Sequence, residues 1–243
     1  MPSIEDLTNE IARKTMILFF LIDTSGSMRG DKIGQVNAGM EDTILDIKEM
    51  VNPDAKVKIA VMEFSAGARW QTQEPIEIEN FTWSNLEADG LTDLGEACRK
   101  LDEKLSRKAF MRDGTGNYAP AIILISDGNP TDDYEKSLEQ LKKNNWFKSS
   151  LKVALAVGSD VKLENLEMFT GNSETVIPIH NKAMLRKMIR FVSVRASQIA
   201  SRSSAVTEEN SNTEISSKQQ DFIDALKDIS IDTNINEEEE VEW

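Results

Sequence analysis

The chain has 243 residues, 40% hydrophobic and 29% charged, enough to bury one core of roughly 200 residues with some chain left over. Its formal net charge is −14, concentrated between residues 207 and 243, where twelve Asp or Glu face only Lys218 and Lys227; no Lys/Arg stripe offsets it, which excludes nucleic acid and anionic membrane surfaces as expected partners. A single cysteine, Cys98, and a single histidine, His180, exclude an internal disulfide and a Cys/His zinc cage, and the lone thiol fits a reducing, cytoplasmic setting.

Residues 1–13 carry Glu5, Asp6 and Glu10 ahead of any apolar run, the wrong order for a secretory signal, and read as an N-terminal extension. Met16 to Ile22 (MILFFLI) is a continuous apolar run ending at Asp23, the pattern of a central strand covered on both faces and far too short to span a bilayer. Ile33, Val36, Met40, Ile44, Ile47 and Val51 then recur at steps of three and four, the stripe of a helix packed on a sheet. Lys56 to Phe64 reads as a second strand. Ala68 to Ile78 predicts a short antiparallel strand at the sheet edge, because Pro75 cannot donate to a central ladder.

Leu94, Ala97, Leu101 and Leu105 mark the next helix, with Cys98 expected in the core beside them. Ala121 to Ser126 and Leu151 to Val157 are further buried strands, separated by a helix marked by Tyr134, Leu138 and Leu141. A short helix is expected near Leu163 to Phe169, and a last one from Lys182 to Ser201. His180, beside a strand end with no second histidine or adjacent acid, reads as a structural or surface residue. After Arg202 the chain turns to Ser, Thr, Asn and Glu, too few apolar groups to offset the entropy of ordering, so 202–243 is expected to be a flexible acidic tail. Within it Phe222, Leu226 and Ile229 keep helical spacing.

Strands alternating with helices over 14–201 predict an α/β unit, doubly wound on a mainly parallel six-stranded sheet flanked by helices, Rossmann-like, with one antiparallel edge strand. In such sheets ligands bind outside the carboxyl ends of the strands. There the first strand delivers Asp23-Thr24-Ser25-Gly26-Ser27, so that Asp23, Ser25 and Ser27 emerge together. The strand ending at Ser126 delivers Asp127-Gly128, and Gly90-Leu91-Thr92-Asp93 offers the hydroxyl of Thr92. Hydroxyls with one or two carboxylates suit Mg²⁺, which wants six oxygen ligands and keeps some of its waters. The competing reading is ordinary turn and helix-cap chemistry.

Asp23-x-Ser25-x-Ser27, Thr92 and Asp127 stand in the order and context of the metal-ion-dependent adhesion site of von Willebrand factor A domains, and residues 14–200 resemble that family. The resemblance implies that Ser25 and Ser27 hold the metal directly, with Asp23 as an anchor behind them. Thr92 would join when the site is engaged, and Asp127 would reach the ion directly or through water. It implies a non-catalytic module in which Mg²⁺, or alternatively Mn²⁺ or Ca²⁺, binds a carboxylate from the Asp or Glu of a protein partner. Ile22 to Gly30 and Val36 to Gly39 are similar to the bacterial TerY-like branch, which implies a tellurite- or stress-resistance setting with a Ser/Thr kinase and a metal-dependent phosphatase as candidate partners.

Arg29, Phe81, Trp83, Asn129, Asp132, Asp133 and Tyr134 are expected on the same edge as a docking rim, since aromatic and Arg anchors dominate such interfaces. Packing beneath a loop is the other reading of Phe81 and Trp83, and helix capping that of Asp132 and Asp133. The acidic tail reads either as a solubilising extension or as a ligand mimic in which a carboxylate among Glu237 to Glu242 occupies the metal. Two other functions compete. A haloacid-dehalogenase-like phosphatase would need a second acid two residues after Asp23, where Ser25 stands. An adaptor subunit of a chelatase or ATPase complex would use the same metal site toward a different partner.

Overall fold

In the computed structural model, residues 14–49, 55–112, 116–159, 161–202 and 219–228 are described. The N-terminal extension 1–13, Val51, and the tail segments 203–218 and 229–243, which include Ile229 and Glu237 to Glu242, lie outside the described residues. The predicted apolar runs are strands: β1 (Lys14–Asp23), β2 (Ala55–Ser65), β5 (Ala121–Ser126) and β6 (Leu151–Val157). A shorter β7 (Val176–Ile179) follows them. The predicted stripes are helices: α1 (Asp31–Glu49), α2 (Leu94–Lys104), α3 (Tyr134–Leu141), α5 (Leu163–Thr170) and α6 (Lys182–Arg202), with a five-residue α4 (Asn145–Ser149) between α3 and β6.

With β3 (Gly67–Trp70) at one edge, the strand order is β3-β2-β1-β5-β6-β7, and β1 is parallel to both of its neighbours. Alternation along β1 feeds two cores. Met16, Leu18, Phe20 and Ile22 point to the layer of α1 and α6, and Ile17, Phe19 and Leu21 to the layer of α2, α3 and α5. Each of these side chains is at most 1% exposed and contributes about 1.5–3 kcal/mol of burial. Cys98 lies fully buried in the second core, as expected, and burial pushes its thiol up to about 12. The helices of the first layer pack closely because residue 39 is glycine. A Cβ there would stand 2.9 Å from the Ile189 side chain and 3.3 Å from the Arg186 backbone.

The edge departs from expectation. Ala68 to Ile78 is two short strands, β3 (Gly67–Trp70) and β4 (Ile76–Glu77), both antiparallel to β2, so seven strands are described in place of six. Between them the Thr72 hydroxyl accepts from the Val61 N–H at 3.2 Å, and Pro75 has no N–H with which to continue a ladder.

The tail departs too. Residues 219–228, expected to be flexible, form a helix, α7, with Phe222 fully buried in the first core and its ring 6.0 Å from that of Phe191. Lys227 pairs with Glu174 at 3.2 Å, just before β7.

Candidate metal centre

β1 ends at Asp23, whose carboxylate is fully buried and fully engaged. Oδ1 accepts from the Ser25 N–H at 2.9 Å and Oδ2 from the Ser126 hydroxyl at 2.6 Å. Ser126 Oγ in turn accepts from the Gly128 N–H at 2.9 Å, so this carboxylate ties the turn after β1 to the turn after β5. Burial holds the Asp23 carboxyl up at about 6, with the nearby Asp127 adding to the rise and the bonds from Ser126 and Ser25 opposing it. The ionised form is thus penalised here, and a neighbouring cation would relieve it.

The turn places Ser25 Oγ 3.0 Å from Ser27 Oγ, the first buried and the second exposed. Thr24 fastens the turn to β2, its N–H and hydroxyl both donating to the Phe64 carbonyl, at 2.8 and 3.2 Å. The segment before α2 closes over it: Gly26 N–H donates to Gly90 O at 3.0 Å and Asp89 N–H to Thr24 O at 2.8 Å. Gly90 has φ +88°, a conformation that favours glycine. The same segment meets the turn after β5, where Thr92 N–H donates to Thr131 Oγ1 at 3.0 Å and Thr131 N–H to Thr92 O at 2.9 Å. The three loops that carry Asp23, Ser25, Ser27, Thr92 and Asp127 are therefore bonded to one another.

Asp127 is 3% exposed; its Oδ2 lies 3.6 Å from Lys32 Nζ, and its Oδ1 is buried without a hydrogen-bond partner. An unpaired buried carboxylate oxygen is costly, and on a loop tied to the turn that brings two hydroxyls together it fits a hard cation. Among the described residues no group of three or more His, Cys, Asp or Glu could hold a metal, so any ion here depends on hydroxyl oxygens. That donor set fits Mg²⁺ and gives no soft ligand.

Of the expected rim, Arg29 is exposed beside the site, donating to Ala88 O at 3.3 Å and pairing with Asp89. Asn129 is half-buried and donates to Asp127 O at 3.2 Å. Asp133 is exposed at the start of α3 and makes no capping bond. Asp132 is occupied otherwise: its two oxygens accept from Gly95 N–H and Glu96 N–H, each at 3.1 Å, capping the neighbouring α2. Tyr134 is 8% exposed and props the site from beneath. Its hydroxyl donates to Asn165 Oδ1 at 2.7 Å, and Asn165 Nδ2 donates to Gly128 O at 2.8 Å.

Phe81 is not at this edge, and Trp83 is half-buried against the first core. Phe81 is buried in the first core and its carbonyl accepts from Lys48 at the far end of α1, roughly 25 Å along the helix axis from Asp31. Trp83 donates to Asn37 at 3.3 Å, part-way along the same helix. Their aromatic surface serves packing, because the segment from 81 to 88 lies along α1. Asn37 holds it there, bonding both the N–H and the carbonyl of Leu86, at 2.8 and 3.0 Å. Sequence reasoning missed Asn37, Ser126, Thr131 and Lys32. Only Ser126 had a signal, as a hydroxyl ending a buried strand next to an acid.

The sequence model of the von Willebrand factor type A domain matches residues 18–190. No curated protein sequence matches the chain. Solved structures share the fold at low identity. The pilus adhesin SpaC from Lactobacillus rhamnosus GG, in its open conformation, superposes with TM-score 0.59 at 13% identity over 77% of this chain and 30% of the adhesin. A von Willebrand factor type A protein from Catenulispora acidiphila gives 0.56 at 16% identity, over 75% of this chain and 43% of its own. Proximal thread matrix protein 1 from the mussel byssus, with a zinc-occupied MIDAS motif, gives 0.53 at 21% identity over 75% of this chain and 46% of its own. This chain thus spans less than half the length of each of these three.

Proposed function

The chain belongs to the von Willebrand factor type A domain family, and from that premise we propose that it is a metal-dependent protein-binding module whose ion is held by Ser25, Ser27, Thr92 and Asp127 with Asp23 bracing them. The observation that carries this reading is the buried Asp127 Oδ1, left without a partner on the loop that Ser126 ties to the turn pairing the Ser25 and Ser27 hydroxyls. The zinc-occupied motif of the mussel protein supports a divalent ion at this place in the fold, and the all-oxygen donors here favour Mg²⁺, with Mn²⁺ next. Neutral hydroxyls leave much of the ion's charge uncompensated, so a carboxylate from a partner's Asp or Glu completes it, more strongly as the interface excludes water. Arg29 and Asp133, with the half-buried Asn129, form the accessible part of the docking rim.

A phosphatase that uses Asp23 as nucleophile fits less well, since both oxygens of that carboxylate are committed to Ser25 and Ser126. The residues at 22–30 and 36–39 support a stress-resistance setting only through their likeness to the TerY-like branch. A Ser/Thr kinase and a metal-dependent phosphatase are the partners to look for first. Affinity capture from the source cell, run with Mg²⁺ and again with EDTA, tests the reading. We expect a partner retained by the wild type in Mg²⁺ and lost both with EDTA and in Asp23→Ala; retention by Asp23→Ala would contradict it.

A further inference from the structure

Lys32 has no part in the reading above, yet three elements converge to hold it. It stands in the first turn of α1, its Nζ 3.6 Å from Asp127 Oδ2 at the end of β5, with 21% of its side chain exposed against 5% for Asp127. Gly158, directly after β6, lies against it: a Cβ there would stand 2.9 Å from Lys32 Nζ, and its φ of +113° is one that other residues rarely adopt. An exposed lysine at a helix start would choose solvent. This one is kept against the carboxylate that the proposed ion would also use.

Although the hydroxyl ligands are themselves neutral, Asp127 and Asp23 behind them supply two negative charges, so that with a divalent ion alone the whole site would be neutral. With the Lys32 ammonium in place, site and ion together carry one net positive charge, which one incoming Asp or Glu matches. Of the other charges nearby, Asp31 pairs with Lys182 and Arg29 with Asp89, the Asp93 and Asp132 carboxylates accept from backbone N–H groups, and Asp133 is exposed to solvent. Attraction and repulsion at such separations are strong wherever water is largely excluded.

We propose that Lys32 is a built-in counter-cation of the metal centre, balancing Asp127 when no ion is bound, holding affinity for a divalent ion down, and thereby coupling ion binding to arrival of the partner's carboxylate. This rests on the metal-site reading, and its test separates the two. Mg²⁺ and Mn²⁺ are titrated calorimetrically into the full chain as wild type, Lys32→Met, Lys32→Arg and Ser25→Ala. Lys32→Met is expected to bind either ion about tenfold tighter than wild type, and Lys32→Arg about as wild type does. Lys32→Met is also expected to melt at a lower temperature without metal, because Asp127 loses its neighbour, and to gain more from Mg²⁺ than wild type gains.

Lys32→Gln serves as second variant should Lys32→Met fold poorly, and in an Asp127→Asn background neither should tighten binding. Wild-type binding that is unchanged or weakened in Lys32→Met and Lys32→Gln overturns the role of Lys32 and leaves the metal centre standing. Absence of Mg²⁺ and Mn²⁺ binding in every variant, wild type included, overturns both.

Discussion

A buried ionisable group reveals what a site is built to hold. Asp23 answers its burial with two hydrogen bonds, Asp127 with one ammonium and one unpartnered oxygen, and Lys152 at the other end of the sheet with two backbone carbonyls and the face of the Phe147 ring. Burial lowers the Lys152 ammonium from 10.5 to about 8, although it donates to Phe147 O and Ser150 O. Since the folded value lies below the unfolded one, this lysine destabilises the fold fully below pH 8, and the penalty fades as pH rises from about 8 toward 10.5. Urea unfolding across that window should show a stabilising contribution, rising with pH by up to about 3 kcal/mol, that is absent in Lys152→Met. Equal pH slopes for the two proteins would contradict the assignment. The metal motif was legible at this scale because Asp23, Ser25 and Ser27 are contiguous. Ser126 showed only as a hydroxyl ending a buried strand beside an acid, since its bond to Asp23 spans 103 residues, and no local pattern announced that Lys32 would turn back upon Asp127.

Elements read well from the sequence wherever burial on both faces leaves an unbroken apolar run, as in β1, β5 and β6. They read badly where partners are few. The edge segment held one alternating stretch to the eye, but Pro75 and the Thr72 hydroxyl divide it into β3 and β4. Phe81 and Trp83 looked like rim aromatics because chain order alone cannot tell which end of α1 a following segment will cross. The acidic tail failed for another reason: its composition argues against order on average, while Phe222 and Leu226 supply one apolar face that the first core accepts. Removing that anchor should release α7 and little else. In Phe222→Ala, amides of residues 219–228 should lose hydrogen-exchange protection while those of β5 keep it, at a global cost no greater than about 3 kcal/mol. Unchanged protection at 219–228 would show that the ring does not seat the helix.

Across the whole molecule, one edge of the sheet gathers the chemistry and the two cores behind it keep it rigid. Three loops arrive there from β1, from the segment before α2, and from β5, and hydrogen bonds between their backbones and hydroxyls fix them before any ion binds. A net charge of −14 would by itself repel an acidic partner, so an uncompensated cation at that edge is what would make such a partner bind. No described helix is long and apolar enough to cross a membrane. The most direct test of the central claim is equilibrium dialysis of the full chain against Mn²⁺ as a stand-in ion, comparing wild type with Ser25→Ala/Ser27→Ala. The account predicts one ion retained per chain by the wild type and loss of that ion in the double variant with its circular dichroism unchanged; equal retention by both proteins, or none by the wild type, would contradict it.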